Sequence, residues 1–123
     1  MTGLFSRLFG RSSAAGPAWI EADALQDRLA AGEKLLLVDV RQPEEFAAPP
    51  GHLAGAVNVP LPDLGAGIAG LVARALPIVV VCKTDRRSAR AAMELAAAGV
   101  SDVVVLRGGM DGWHGRGLPL ERP

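Results

Sequence analysis

Tyrosine is absent from this chain, and cysteine occurs once, at Cys82. A single thiol cannot close an internal disulfide and has no resolving partner for dithiol redox chemistry. Two histidines, His52 and His114, with that one cysteine fall short of a closed structural zinc site, although carboxylates could complete an open one. No metal and no cofactor is implied. Aromatic side chains are scarce, three Phe and two Trp, which removes the stacking platforms that hold nucleobases. Thirteen basic and 13 acidic residues leave a formal net charge of zero, so the footprint of a nucleic-acid partner is missing as well. No apolar run reaches the roughly 20 residues that span a bilayer. At the amino terminus the apolar set Leu4, Phe5, Leu8 and Phe9 is interrupted by Ser6 and Arg7, which argues against a secretory signal. These absences point to a cytoplasmic protein with a free thiol. The chain has the length of one domain, and half its residues are apolar, enough for a real core.

What is present is organised around residues 77–99. Ile78 to Val81 is an apolar, β-branched run with the length of a buried strand. It stops at Cys82. Polar residues follow, and then a helix-favouring segment from Ser88 through Leu95 and Ala96, closed by Gly99 as a C-terminal cap. Cys82 is therefore expected at the carboxyl end of a strand, under the amino end of a helix. Free N–H groups and the positive end of the helix dipole favour an anion there, and a thiolate is such an anion. Lys83, Arg86, Arg87 and Arg90 add positive charge.

Around this centre, a leader is expected over residues 1–16 and a domain over 17–123. The leader reads as a flexible segment, with surface contact to a membrane or a partner as the alternative. Ala18–Ile20 suggests a short strand, Glu21–Ala31 a helix stopped by Gly32, and Leu35–Val40 a buried strand. Pro43–Ala47 suggests one helical turn with Pro at its first position, and Ala56–Val59 a third strand. Leu61–Leu76 reads as a helix weakened by glycines, Val103–Leu106 as the last strand, and Gly109–Trp113 as a helical turn. Strands alternating with helices define an α/β class with a mainly parallel sheet. The string Gly65-Ala66-Gly67-Ile68-Ala69-Gly70 fits a dinucleotide fingerprint, but it does not directly follow a strand and lies inside a helical segment.

The loop Cys82-Lys83-Thr84-Asp85-Arg86-Arg87-Ser88 resembles the Cys-x-x-Gly-x-Arg-Ser active-site loop of the rhodanese sulfurtransferases, with Asp85 in place of the glycine. Three further segments resemble that family in its order: Asp39-Val40-Arg41 with Glu44-Glu45-Phe46, Gly51-His52-Leu53 with Gly55 to Pro60, and Leu106-Arg107-Gly108-Gly109-Met110 with Trp113. The resemblance covers roughly residues 18 to 120. It implies a single-domain, three-layer sandwich with a mainly parallel, roughly five-stranded central sheet and helices on both faces. It also implies that Cys82 carries sulfur as a persulfide, with Arg87 as its catalytic partner. Lys83, Thr84, Asp85, Arg86 and Ser88 would bind substrate. The partners would be a small anionic sulfur donor, such as thiosulfate, and a thiol, cyanide or protein acceptor.

Other readings stay open at several positions. Cys82 could be a small buried hydrophobe. Ser88 could cap the helix or bond the cysteine sulfur. Asp39 and Arg41 could act in catalysis or anchor the loop after their strand by ion pairing. His52 is expected to bond local backbone, and Trp113 to pack the last turn on the core. A related cysteine phosphatase or arsenate reductase is the rival enzyme, but its loop resembles Cys-x5-Arg, whereas Arg87 stands five positions after Cys82 and makes a smaller loop. A non-catalytic binding module is the rival of another class. Asp85 is the residue that keeps it open, because it brings a negative charge close to the thiol.

Overall fold

The computed structural model describes residues 11–13 and 15–122. Five strands form one sheet: β1 (Trp19–Ile20), β2 (Leu36–Asp39), β3 (Val57–Asn58), β4 (Ile78–Val81) and β5 (Val103–Leu106). Their spatial order is β1-β5-β4-β2-β3, and every pairing is parallel. The helices are α1 (Ala22–Ala30), α2 (Pro43–Ala47), α3 (Leu64–Ala73), α4 (Arg86–Ala97) and α5 (Gly109–Gly115), with a 3-10 turn at Leu61–Asp63 before α3. No helix among the described residues is long and apolar enough to cross a membrane.

Strand residues alternate between two cores, as a period of two requires. Leu36, Val38, Ile78, Val80, Val103 and Val105 face one side, where Leu64 and Leu71 of α3 and Ala91, Ala92 and Leu95 of α4 cover them. Leu37, Val79, Val81, Val104 and Leu106 face the other, against Leu25 of α1 and Met110 and Trp113 of α5. All four residues of β2, β4 and β5 are buried, which explains why those strands read as unbroken apolar runs. The expected layers, with helices on both faces, are present. Gly65, Gly67 and Gly70 lie inside α3, so no strand feeds the glycine-rich string.

The expected leader falls partly on residues outside those described. Within the described residues its inner end contacts the sheet. Ser12 is buried, and both its N–H and its hydroxyl donate to the carbonyl of Val103, at 3.2 and 2.8 Å. A hydroxyl that reaches a carbonyl at the start of β5 can fasten such a segment to the sheet.

The topology places the site. β2 and β4 are neighbours, but the chain leaves them toward opposite faces: after β4 it enters α4 on one side, and after β2 it passes Leu53 on the other. Such a divergence opens a crevice at the carboxyl ends of the strands.

Candidate active site

Cys82 follows the last residue of β4, the central strand, and is 1% exposed. It falls on the α3–α4 face and forms the floor of a depression of about 470 Å³ lined by Leu61, Lys83, Thr84, Arg86, Arg87 and Arg90. A second depression, about 370 Å³, lies between Val72, Leu76 and Asp102 and holds neither cysteine nor histidine. The helix begins at Arg86, earlier than the Ser88 expected from composition, with Asp85 as its N-cap. Ser88 therefore sits in the first turn. Its backbone N–H donates to Cys82 Sγ at 3.3 Å, and its Oγ lies 3.1 Å from the same sulfur. Of the two roles open to Ser88, the structure shows the bond to sulfur. The hydroxyl also lies 3.2 Å from the carbonyl oxygen of Asp85, to which it can donate.

The loop is held from its carbonyl side. The N–H of Met110 donates to the carbonyl of Cys82 at 2.8 Å, and that of Asp111 to the carbonyl of Lys83 at 3.0 Å. The N–H groups of Lys83, Thr84, Asp85, Arg86 and Arg87 donate to no group among the described residues. Gly109 makes this seating possible. Its φ is +55°, and a Cβ there would meet the carbonyl oxygens of Cys82 and Thr84 at 2.4 Å each. Only glycine lets the β5–α5 turn come so close.

Arg87 is oriented by a carboxylate that lies 42 positions earlier in the chain. Glu45, on α2, takes Nη1 at 2.6 Å and Nη2 at 3.0 Å in a two-pronged pair. The Arg87 hydrogen bonds hold the Glu45 carboxyl down at about 2, against the usual 4.5. In return the bonded Glu45 pushes Arg87 above its ordinary value. A cation at a helix amino end opposes the dipole unless an anion accompanies it, and here Glu45 is that anion. At the rim, Lys83 pairs with Asp111 at 2.7 Å, whereas Arg86 and Arg90 border the depression as exposed cations.

Asp39 and Arg41 form a buried ion pair: Arg41 Nε lies 2.9 Å from Oδ1, and Nη2 2.7 Å from Oδ2. The two side chains are turned to each other, and Arg41 Nη2 also donates to the carbonyl of Gly51 at 3.2 Å, which is the geometry of a loop anchor. His52 donates from Nδ1 to the carbonyl of Phe46 at 2.9 Å, since a carbonyl can only accept, and its ring stacks on Phe46 at 3.7 Å. Trp113 is buried and donates to the carbonyl of Pro119 at 2.7 Å.

The family model of the Rhodanese-like domain matches residues 21–116. The chain belongs to the rhodanese-like family. It is 33% identical over 116 residues to thiosulfate sulfurtransferase 16, chloroplastic, of Arabidopsis thaliana, covering 85% of this chain and 93% of that one. It is 33% identical over 104 residues to a sulfurtransferase of Allochromatium vinosum, covering 85% and 94%. Among solved structures, the thiosulfate sulfurtransferase of Pseudomonas aeruginosa superposes with a TM-score of 0.75 at 26% identity; the match covers 98% of this chain but only 23% of that larger one.

In this rhodanese-like chain the seven residues from Cys82 to Ser88 stand together at one end of the sheet. Asp85 does not adopt a left-handed backbone in the glycine's place; its φ is −131°. Its carboxylate accepts the N–H of Gly108 at 2.7 Å. Five positions that touch the loop were not legible in the sequence as parts of the site: Glu45, Gly108, Gly109, Met110 and Asp111. Each sits in or beside a segment that resembles the family, but only the fold shows that each touches the loop.

Proposed function

We propose that this protein is a sulfurtransferase that carries sulfane sulfur on Cys82. The supporting observation is the sulfur itself, at the floor of a cationic depression, with the Ser88 N–H of a helix amino end pointed at it. The Cys82 thiolate attacks the outer sulfur of thiosulfate or of a persulfide donor. In thiosulfate the sulfur–sulfur bond breaks, and sulfite leaves with the bonding electron pair. Cys82 then bears a persulfide anion, for which the unpartnered N–H groups of Lys83 to Arg87 are donors. Arg87 keeps N–H groups free of Glu45 and directs them at the departing charge. Lys83, Thr84 and Arg86 surround the donor, Ser88 lies buried against the Cys82 sulfur, and Asp85 is turned to Gly108 instead of to the donor. An acceptor nucleophile, a thiol or cyanide, attacks the outer sulfur, and the bond to Cys82 breaks to restore the thiolate. With no second cysteine in the chain, the sulfur passes to another molecule.

Intact mass after incubation with thiosulfate tests this reading. The parental protein is expected to gain one sulfur atom and release it to cyanide as thiocyanate, and Cys82→Ser to do neither. Equal sulfur uptake by the variant would remove Cys82 from the role. Hydrolysis of an aryl phosphate without sulfur uptake would move the chain to the phosphatase reading.

A further inference from the structure

Asp85 does not behave as an aspartate before a helix ordinarily does. Asp is among the best N-cap residues because its carboxylate accepts first-turn N–H groups. Asp85 is the N-cap of α4, yet its side chain makes no such bond. Its Oδ1 reaches across to Gly108, 23 positions away, and accepts that N–H at 2.7 Å.

Two consequences follow from this geometry. A carboxylate folded back on its own helix would take the N–H of Arg87 or Ser88. The Ser88 N–H is the one that donates to Cys82 Sγ. An aspartate in the ordinary capping position would thus put a fixed anion where the sulfur anion has to sit, and Gly108 draws it away. In addition, Gly108, Met110 and Asp111 all donate backbone N–H groups into the Cys82 loop. Of the three acceptors, two are loop carbonyls and the third is the Asp85 side chain, so this link alone depends on residue type.

We propose that Asp85 is a positioning residue: by holding Gly108 it seats the Cys82 loop on the β5–α5 turn and keeps the amino end of α4 open for an anionic sulfur. Its purpose, though not the contact, rests on the reading of Cys82 as the sulfur carrier. The working part is the acceptor oxygen rather than the charge. An amide oxygen accepts the same bond, so Asp85→Asn preserves the seating and Asp85→Ala loses it.

The pH–rate profile of Cys82 alkylation by iodoacetamide, a neutral reagent, separates the two substitutions. Asp85→Asn is expected to stay within about twofold of the parent at neutral pH. Asp85→Ala is expected to fall at least about fivefold, with the midpoint of its profile moved to higher pH, because the loop donors no longer converge on the sulfur. Equal effects of the two substitutions, in either direction or at zero, overturn the proposal. A second measurement needs no variant. In the parental protein the Gly108 amide proton is expected to be protected from exchange. A freely exchanging Gly108 amide overturns the contact. Neither measurement uses a sulfur donor. If Asn and Ala separate as expected while thiosulfate leaves the mass of Cys82 unchanged, the seating stands and the sulfurtransferase reading fails.

Discussion

Two turns leave the same end of the sheet side by side, one after β2 and one after β4, and they treat their polar groups in opposite ways. The β2 turn is closed on itself. Asp39 and Arg41 are buried against each other, and the Asn58 side chain donates to the carbonyls of both, each at 3.0 Å. The N–H of Arg41 is taken by Asp39 Oδ1 at 3.0 Å. The β4 turn is held from behind, through its carbonyls and the Asp85 carboxylate, and the N–H groups of Lys83 to Arg87 donate to no group among the described residues. A turn whose donors and acceptors are matched internally can do no more than hold the chain. A turn whose acceptors alone are satisfied presents a ring of donors, which is what an anion needs. The chemistry of the site therefore depends on the β5–α5 segment that braces it as much as on the loop.

Substitutions on each side test that contrast. Arg41→Met leaves the Asp39 carboxylate buried without its partner and should destabilise the protein by about 3–5 kcal/mol, measured by denaturant unfolding. A loss below about 1 kcal/mol, the worth of an exposed pair, would show that the β2 turn is not held by this pair. Gly109→Ala should cost somewhat less, about 2–4 kcal/mol, from overpacking and a left-handed backbone. Unlike Arg41→Met, it should also slow Cys82 alkylation, because the added methyl meets Cys82 and Thr84 directly. Unchanged alkylation would mean that the loop is seated independently of α5.

Glu45→Gln should have the smallest effect and the clearest pH signature. The folded Glu45 value, about 2, lies below the ordinary 4.5 because Arg87 donates to it. Its stabilisation is thus complete above about 4.5 and disappears as the pH falls through 2. Each side chain of the pair is about one-third exposed, so solvent screening leaves about 1–2 kcal/mol at neutral pH. Unfolding curves of both proteins from neutral pH down to about pH 2 should converge at the acid end. A gap that persists there would place the stabilisation elsewhere than in the carboxylate.

Much of the architecture was legible along the chain. The runs Leu36–Asp39, Ile78–Val81 and Val103–Leu106 announce buried parallel strands because both of their faces are covered, and local pattern reports burial directly. Cys82, with its strand behind it and its helix ahead, follows from neighbours in sequence. The start of α4 was less legible: Arg86 and Arg87 look unsuited to a helix amino end until Glu45 is placed beside Arg87.

By itself, then, the sequence determined the alternation of elements, the strand end that bears the thiol and the cations that surround it, since these depend on contacts within a few residues. Only the tertiary structure decided what the loop's polar groups touch. Glu45 reaches Arg87, Gly108 captures Asp85 and Gly109 fits beneath Thr84 because the segments that follow β2, β4 and β5 meet at the carboxyl end of one sheet. Such pairings join positions far apart in the chain, and no local preference of residue type encodes which distant donor a carboxylate will find.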